Sequence, residues 1–299
     1  MDSNVFAFLL PILLAIMMIG LGLELRSKDF VRVLSNPKVV FLALLTQLVI
    51  LPLVAFLICV SLELSPMLSV GMMLLAASPG GATANLFSYI FKGDIALNIT
   101  LTATNSMISM FTLPFMVNLA LIYFMKATDH VSFPMTKIFL VFVVTIAPVC
   151  IGILIRHWFP FIAKIFSRPM RYASIAFLVL LFCMTFIRER NNALEYIADI
   201  GLATALFCFC SLFIGYLLPH LSQIKERQAR ACTFEVGIHN TGLAMTIAIA
   251  VLNDTAFAVP AAVYTLFMYV FAAVFGLLLT KGAAHLILGS DSTGKPSLK

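Results

Sequence analysis

Residues 229–252 read ARACTFEVGIHNTGLAMTIAIAVL, and residues 66–91 read PMLSVGMMLLAASPGGATANLFSYIF. Each stretch is long and apolar enough to cross a bilayer, which takes roughly 20 residues. Each is also interrupted near its middle. The earlier break is Ser78-Pro79-Gly80-Gly81, where proline lacks an amide hydrogen and clashes with the preceding turn, and paired glycines lower helix propensity further. The later break is His239-Asn240-Thr241-Gly242, again a poor helix former. Irregular backbone at membrane depth is tolerated only inside protein or beside a water-filled cavity. The two stretches therefore predict a polytopic, all-α membrane protein with two broken helices.

The rest of the chain agrees. Of 299 residues, 62% are hydrophobic and only 11% are charged, against about 25% charged in a soluble domain. The mean hydropathy is +1.07. A soluble enzyme, a disordered chain and a coiled coil are excluded. Continuous rather than alternating apolar runs exclude a β-barrel. Nine spans are expected, near 5–25, 38–62, 66–91, 95–124, 134–156, 172–188, 196–218, 229–252 and 256–286. Residues 1–288 form one transmembrane domain, and 289–299 form a polar cytoplasmic tail expected to be disordered. The first run lacks a basic leader and a small-residue cleavage site, so it reads as a retained span. Six cysteines, none in a Cys-x-x-Cys pair, read as reduced and buried apolar side chains.

Lys and Arg alternate in density along the loops. Fifteen of the nineteen fall on one face, in the loops after spans 1, 3, 5, 7 and 9, and four fall on the other. That asymmetry predicts an inner (plasma) membrane protein with the N-terminus outside and the C-terminus in the cytoplasm. It also supports an odd span count. Asp94 follows Gly81 by 13 residues and Asp254 follows Gly242 by 12, and each precedes a long apolar span. The two broken spans enter from opposite sides, so the similarity reads as an inverted repeat. A chance match of small residues is the plain alternative.

Glu235 sits four residues before the second break, inside a span and without a Lys or Arg near it. A buried carboxylate is costly unless paired or neutralised, so its partner is a proton or a bound cation. The alternative is a Glu near enough to the cytoplasmic edge to stay hydrated. Oxygen-bearing side chains gather around it: Asn85 after the first break, Asn98 and Thr102 one turn apart on span 4, and Gln47 in span 2. Each taken singly is the kind of residue that bonds neighbouring helices.

The segments Pro79-Gly80-Gly81-Ala82-Thr83-Ala84-Asn85, Lys92-Gly93-Asp94-Ile95-Ala96-Leu97 and Glu235 to Ala244 resemble the bile acid:sodium symporter family. The resemblance implies a core domain, here about 38–125 and 196–286, in which two broken helices cross. Beside it would stand a panel domain of about 5–25, 134–156 and 172–188. Bacterial members typically have ten spans, and this chain looks as if it lacks the first. The resemblance also implies secondary active symport of an organic anion, bile-acid-like or a small carboxylate, with Na⁺ as the coupling ion. No enzyme activity, prosthetic group, nucleic acid or protein partner is expected.

Carried over by residue, the first Na⁺ site is Asn85, Asn98, Thr102 and Glu235. Ala84 stands where many members have Ser, and Asn98 where some have Ser. The second site is Gln47, Glu235 and the carbonyls of Val236 and Ile238, with His239 where members usually have Gln. Imidazole is a poor ligand for a hard cation, although the His239 carbonyl still serves. A weakened or proton-linked second site follows, as does an alternative function: a proton-coupled anion carrier or cation/proton exchanger using Glu235 and His239. A neutral His hydrogen-bonded in the crossover is the plainer reading. The second helical halves begin near Ala82 and Gly242, where free amides and helix dipoles suit an anion. Thr83, Asn240, Thr241 and Gly242 are the candidate substrate-binding residues. Tyr264, Met268 and Tyr269 are cavity candidates, with packing as their ordinary role.

Overall fold

The structure is a computed structural model that describes residues 36–125, 135–166 and 193–280, with isolated helical positions at 15–16, 19–20, 22–23, 169 and 176. The expected span 172–188, most of span 5–25 and the tail 289–299 lie outside the described residues. What is described is helical, in the order α1 (Pro37–Leu45), α2 (Leu51–Ser61), α3 (Pro66–Ala77), α4 (Ala82–Ile90), α5 (Ile95–Met125), α6 (Met135–Trp158), α7 (Ala193–Leu221), α8 (Glu226–Gly237), α9 (Thr241–Ala250) and α10 (Val259–Thr280). Among the described residues, four continuous apolar stretches are long enough to cross a membrane: Pro37–Ser61, Ile95–Met125, Ala198–Leu221 and Ala256–Thr280.

Both interrupted spans are broken where the sequence expects. Helix α3 stops at Ala77 and α4 restarts at Ala82; α8 stops at Gly237 and α9 restarts at Thr241. The first halves have 12 residues each, and the second halves have 9 and 10. The repeat extends to the turns. Glu63 and Gln223, each two residues past a long helix, are left-handed at φ 50° and 58°. Leu64 N–H then donates to Cys59 O and Ile224 N–H to Pro219 O, both at 3.0 Å, the same helix-closing bond in each repeat. Lys92 and Asn253 form the second left-handed pair, at φ 57° and 59°.

The two repeat aspartates have matching roles. Asp94 accepts from Leu97 N–H at 3.1 Å, and Asp254 accepts from Ala256 N–H at 2.9 Å. Each satisfies an amide that the helix start leaves free. Asp94→Ala and Asp254→Ala should each lower stability by about 1 kcal/mol, the usual worth of such a cap. Denaturation of the two variants beside wild type checks this, and two unchanged curves would refute it.

The helix α1 passes into α2 through a π-helical turn at Thr46–Ile50. Pro52 follows at once. A wider turn relieves the clash that proline makes with the carbonyl four residues back. Gln47 lies in this turn and is buried.

Contacts between loops agree with the alternating layout. Lys38 donates to Ser222 O at 2.7 Å, Gln228 donates to Asn36 at 2.9 Å, and Asp94 N–H donates to Arg227 O at 2.8 Å. The loops near 36–38, 91–94 and 222–228 thus share one end of the bundle. Leu68, Ile200, Val259 and Val263 cluster near the starts of α3, α7 and α10, at the other end. Between them lies the main core, with Met72, Leu75, Phe207, Phe234, Met245 and Tyr264 buried together. Helix α6 meets the first span glycine to glycine. A Cβ on Gly22 would fall 2.9 Å from the Cα of Gly152, the close approach that small residues permit between membrane helices. The cysteines depart in part from expectation: Cys59, Cys208 and Cys232 are buried, but Cys210 is half-buried and Cys150 is exposed on α6, while Cys183 lies outside the described residues. In an apolar bundle, an outward thiol meets lipid as readily as an inward one meets core.

Candidate functional site

The two breaks meet. Gly80 and His239 pair antiparallel, with Gly81 N–H donating to Ile238 O and Asn240 N–H donating to Pro79 O, both at 2.8 Å. This exchange satisfies backbone groups that unwinding would otherwise leave bare at membrane depth. The approach is close because Gly80 has no side chain. A Cβ there would sit 2.2 Å from Glu235 Oε1 and 2.8 Å from Glu235 O.

Glu235 lies two residues before the end of α8 and is 2% exposed. Its Oε2 accepts from Asn98 Nδ2 at 3.0 Å and lies 2.5 Å from the Thr102 hydroxyl. Asn98 Nδ2 also donates to Asn85 Oδ1 at 3.2 Å. The four residues expected at the first site are therefore joined by direct contacts from α4, α5 and α8. The second oxygen, Oε1, has no hydrogen-bond partner among the described residues, and neither have Asn98 Oδ1 and Gln47 Oε1. Arg230, one turn earlier on α8, is engaged elsewhere: with Glu226 at 2.9 Å, with Leu279 O at 2.9 Å and with Phe91 O at 3.4 Å. The carboxylate is thus surrounded by neutral oxygens and amides.

Gln47 reaches the other side of the crossover. Its Nε2 donates to Ser78 O at 3.0 Å and lies 3.4 Å from His239 Nδ1, which is itself 3.2 Å from the same carbonyl. The imidazole packs against the rings of Phe207 and Tyr264, with centroids 5.3 and 5.5 Å away. His239 is thus seated under the first break through a nitrogen, and its side chain brings no oxygen to the crossover. Ile238 O already accepts Gly81 N–H and keeps one lone pair. Val236 lies in the last turn of α8, where helical carbonyls lack a partner. Among the described residues no three His, Cys, Asp or Glu come together as a transition-metal site would require.

The four anion candidates divide by access. Thr83 and Asn240 are partly exposed, while Thr241 and Gly242 are buried. Asn240 caps α9 through Oδ1, accepting from Leu243 N–H at 3.0 Å. Gly242 O accepts from Thr246 at 2.6 Å. Tyr264 is structural rather than cavity-lining: fully buried, it donates to Gly237 O at 2.9 Å and holds the carbonyl end of α8. Sequence reasoning passed over Ser78, whose carbonyl takes both Gln47 and His239. It also passed over Asn105, which is buried on α5 with neither side-chain atom partnered among the described residues. Asn105 follows Thr102 by three residues, so helical spacing alone pointed to it.

The Sodium Bile acid symporter family model matches residues 11–213. This chain belongs to that family. The ileal sodium/bile acid cotransporter of Homo sapiens is 27% identical over 91% of this chain and 79% of its own length. A probable chloroplastic sodium/metabolite cotransporter of Arabidopsis thaliana is 28% identical over 84% of this chain and 61% of its own. An uncharacterized sodium-dependent transporter of Bacillus subtilis is 26% identical over 86% and 78%. As a member of the Sodium Bile acid symporter family, the chain is a sodium-coupled membrane transporter and not an enzyme.

Proposed function

We propose that this transporter carries an organic anion, a bile-acid-like molecule or a small carboxylate, into the cell together with Na⁺ by alternating access. One observation carries the reading. A fully desolvated Glu235 presents an unpartnered oxygen at a crossover where Asn98 Oδ1 and Gln47 Oε1 are also unpartnered. Burying an anion costs several kcal/mol unless a counter-charge accompanies it. Hard cations held on either side of the crossover would answer these oxygens, and freed carbonyls of broken helices supply further ligands.

In this reading Asn85, Asn98, Thr102 and Glu235 hold one Na⁺. Gln47, Glu235 and the carbonyls of Val236, Ile238 and His239 hold the second, less tightly for want of a side-chain oxygen at His239. Thr83, the Asn240 amide nitrogen and the free amides that start α4 and α9 receive the anion, with Thr241 and Gly242 shaping the floor. Na⁺ fixes the crossover on which both anion-binding ends depend. Linkage then makes the anion tighten Na⁺ binding by the same factor. The broken helices and their repeats form the moving core, and α6 with the first span forms part of the panel. The end bearing Lys38, Lys92 and Lys225 faces the cytoplasm.

Uptake into proteoliposomes tests this. An inward Na⁺ gradient should drive accumulation of at least one of taurocholate, pantoate and pyruvate above the level in K⁺. Accumulation driven by a pH gradient without Na⁺ would overturn the coupling ion and favour a proton-linked carrier. In the same assay His239→Gln, which places an amide oxygen at the crossover, should lower the Na⁺ concentration for half-maximal uptake several-fold. A wild-type Na⁺ dependence in that variant would remove His239 from the second site.

A further inference from the structure

Helix α5 carries polar residues at 98, 102, 105, 109 and 112, spaced by four and three residues and so on one helical face. The first two hold Glu235 Oε2. The next, Asn105, is only 1% exposed, yet neither Oδ1 nor Nδ2 has a hydrogen-bond partner among the described residues. Thr112 Oγ1 repeats the pattern further along the helix. Buried amides are nearly always satisfied, and leaving one bare is costly. A Leu at 105 has the same branched shape and would leave no polar group bare. On this face the amide is the next polar group beyond Thr102, whose hydroxyl contacts the carboxylate that has an oxygen to spare.

We infer that Asn105 is a further ligand of the Na⁺ bound at Glu235, contributing its amide oxygen from the turn beyond Thr102. The inference rests on the proposed Na⁺ site and extends it by one side chain. With Asn105 included, α5 presents three oxygen-bearing residues, Asn98, Thr102 and Asn105, along the carboxylate. The stripe beyond, Ser109 and Thr112, continues toward the end of the bundle opposite Lys92. That is the side from which Na⁺ would enter.

The test is the melting temperature of the purified full chain in detergent, with Na⁺ titrated against K⁺ at constant ionic strength. Wild type, Asn105→Leu and Asn105→Asp are compared. Leu removes the oxygen while keeping the branched shape, whereas Asp keeps an oxygen and removes the amide donor. Asn105→Leu should need at least tenfold more Na⁺ than wild type for half of the rise. Asn105→Asp should need no more than wild type. If Asn105→Leu does not fold, Asn105→Ala is read by the same criterion. A wild-type Na⁺ midpoint in Asn105→Leu overturns the inference. So does an Asp variant as insensitive as the Leu variant, because the nitrogen would then be what matters. A wild-type protein without any Na⁺ response overturns the Na⁺ site itself, an outcome distinct from the other two.

Discussion

Glu235→Gln should abolish the stabilisation that Na⁺ confers over K⁺ while leaving a folded protein. The amide keeps the shape of the carboxylate, so the contacts with Asn98 and Thr102 persist in modified form. The charge that requires a cation is gone. Stabilisation by a ligand that binds only the folded state grows with its concentration, reaching about 2.7 kcal/mol at one hundred times the dissociation constant. Wild type should gain stability on that curve, and Glu235→Gln should stay flat. In K⁺ alone the variant should be at least as stable as wild type, because a buried neutral amide is less costly than a buried anion. Na⁺-driven uptake should fall to the K⁺ background. A Gln variant that still responds to Na⁺ like wild type would place the cation away from the crossover.

Gly80→Ala should damage the crossover and the cation site together. Its Cβ would meet Glu235 at three points: Oε1 at 2.2 Å, the carboxyl carbon at 2.5 Å and the backbone oxygen at 2.8 Å. The carboxylate can swing aside, but the backbone oxygen belongs to α8 and cannot. The crossover must open, which separates Gly81 from Ile238 and Asn240 from Pro79. Overpacking of this kind costs about 1–3 kcal/mol, and the carboxylate leaves Asn98 and Thr102 as well. Stability and Na⁺ response should therefore fall together. Gly81→Ala is the internal control, because its nearest neighbours are His239 O at 3.3 Å and Thr83 Oγ1 at 3.5 Å. It should be mild. Equal damage from the two substitutions would show that the close approach at Gly80 is not what holds the crossover.

Much of this arrangement was legible beforehand because it rests on strong local signals. Pro79 beside two glycines cannot sit in a helix, and the lone acid Glu235 cannot sit in a membrane unpartnered. The match of Asp94 with Asp254 announced the repeat, and both cap the helix that follows. Other features are set by tertiary context. Glu63, Lys92, Gln223 and Asn253 are left-handed without being glycine, because the helix-closing bonds and the chain direction beyond them demand it. The role of Ser78 is carried by its backbone carbonyl, which no side-chain pattern reveals. The π turn that carries Gln47 answers Pro52, and spacing by ordinary helical period misplaces the residues it contains. Cys150 looked like core because lipid and protein interior select the same side chains.

The most direct measurement is equilibrium binding of radiolabelled Na⁺ to the purified protein, wild type beside Glu235→Gln, in excess K⁺. Saturable binding to wild type that vanishes in Glu235→Gln is the result expected of a cation held by the crossover carboxylate. Saturable binding of equal strength in both proteins would contradict it.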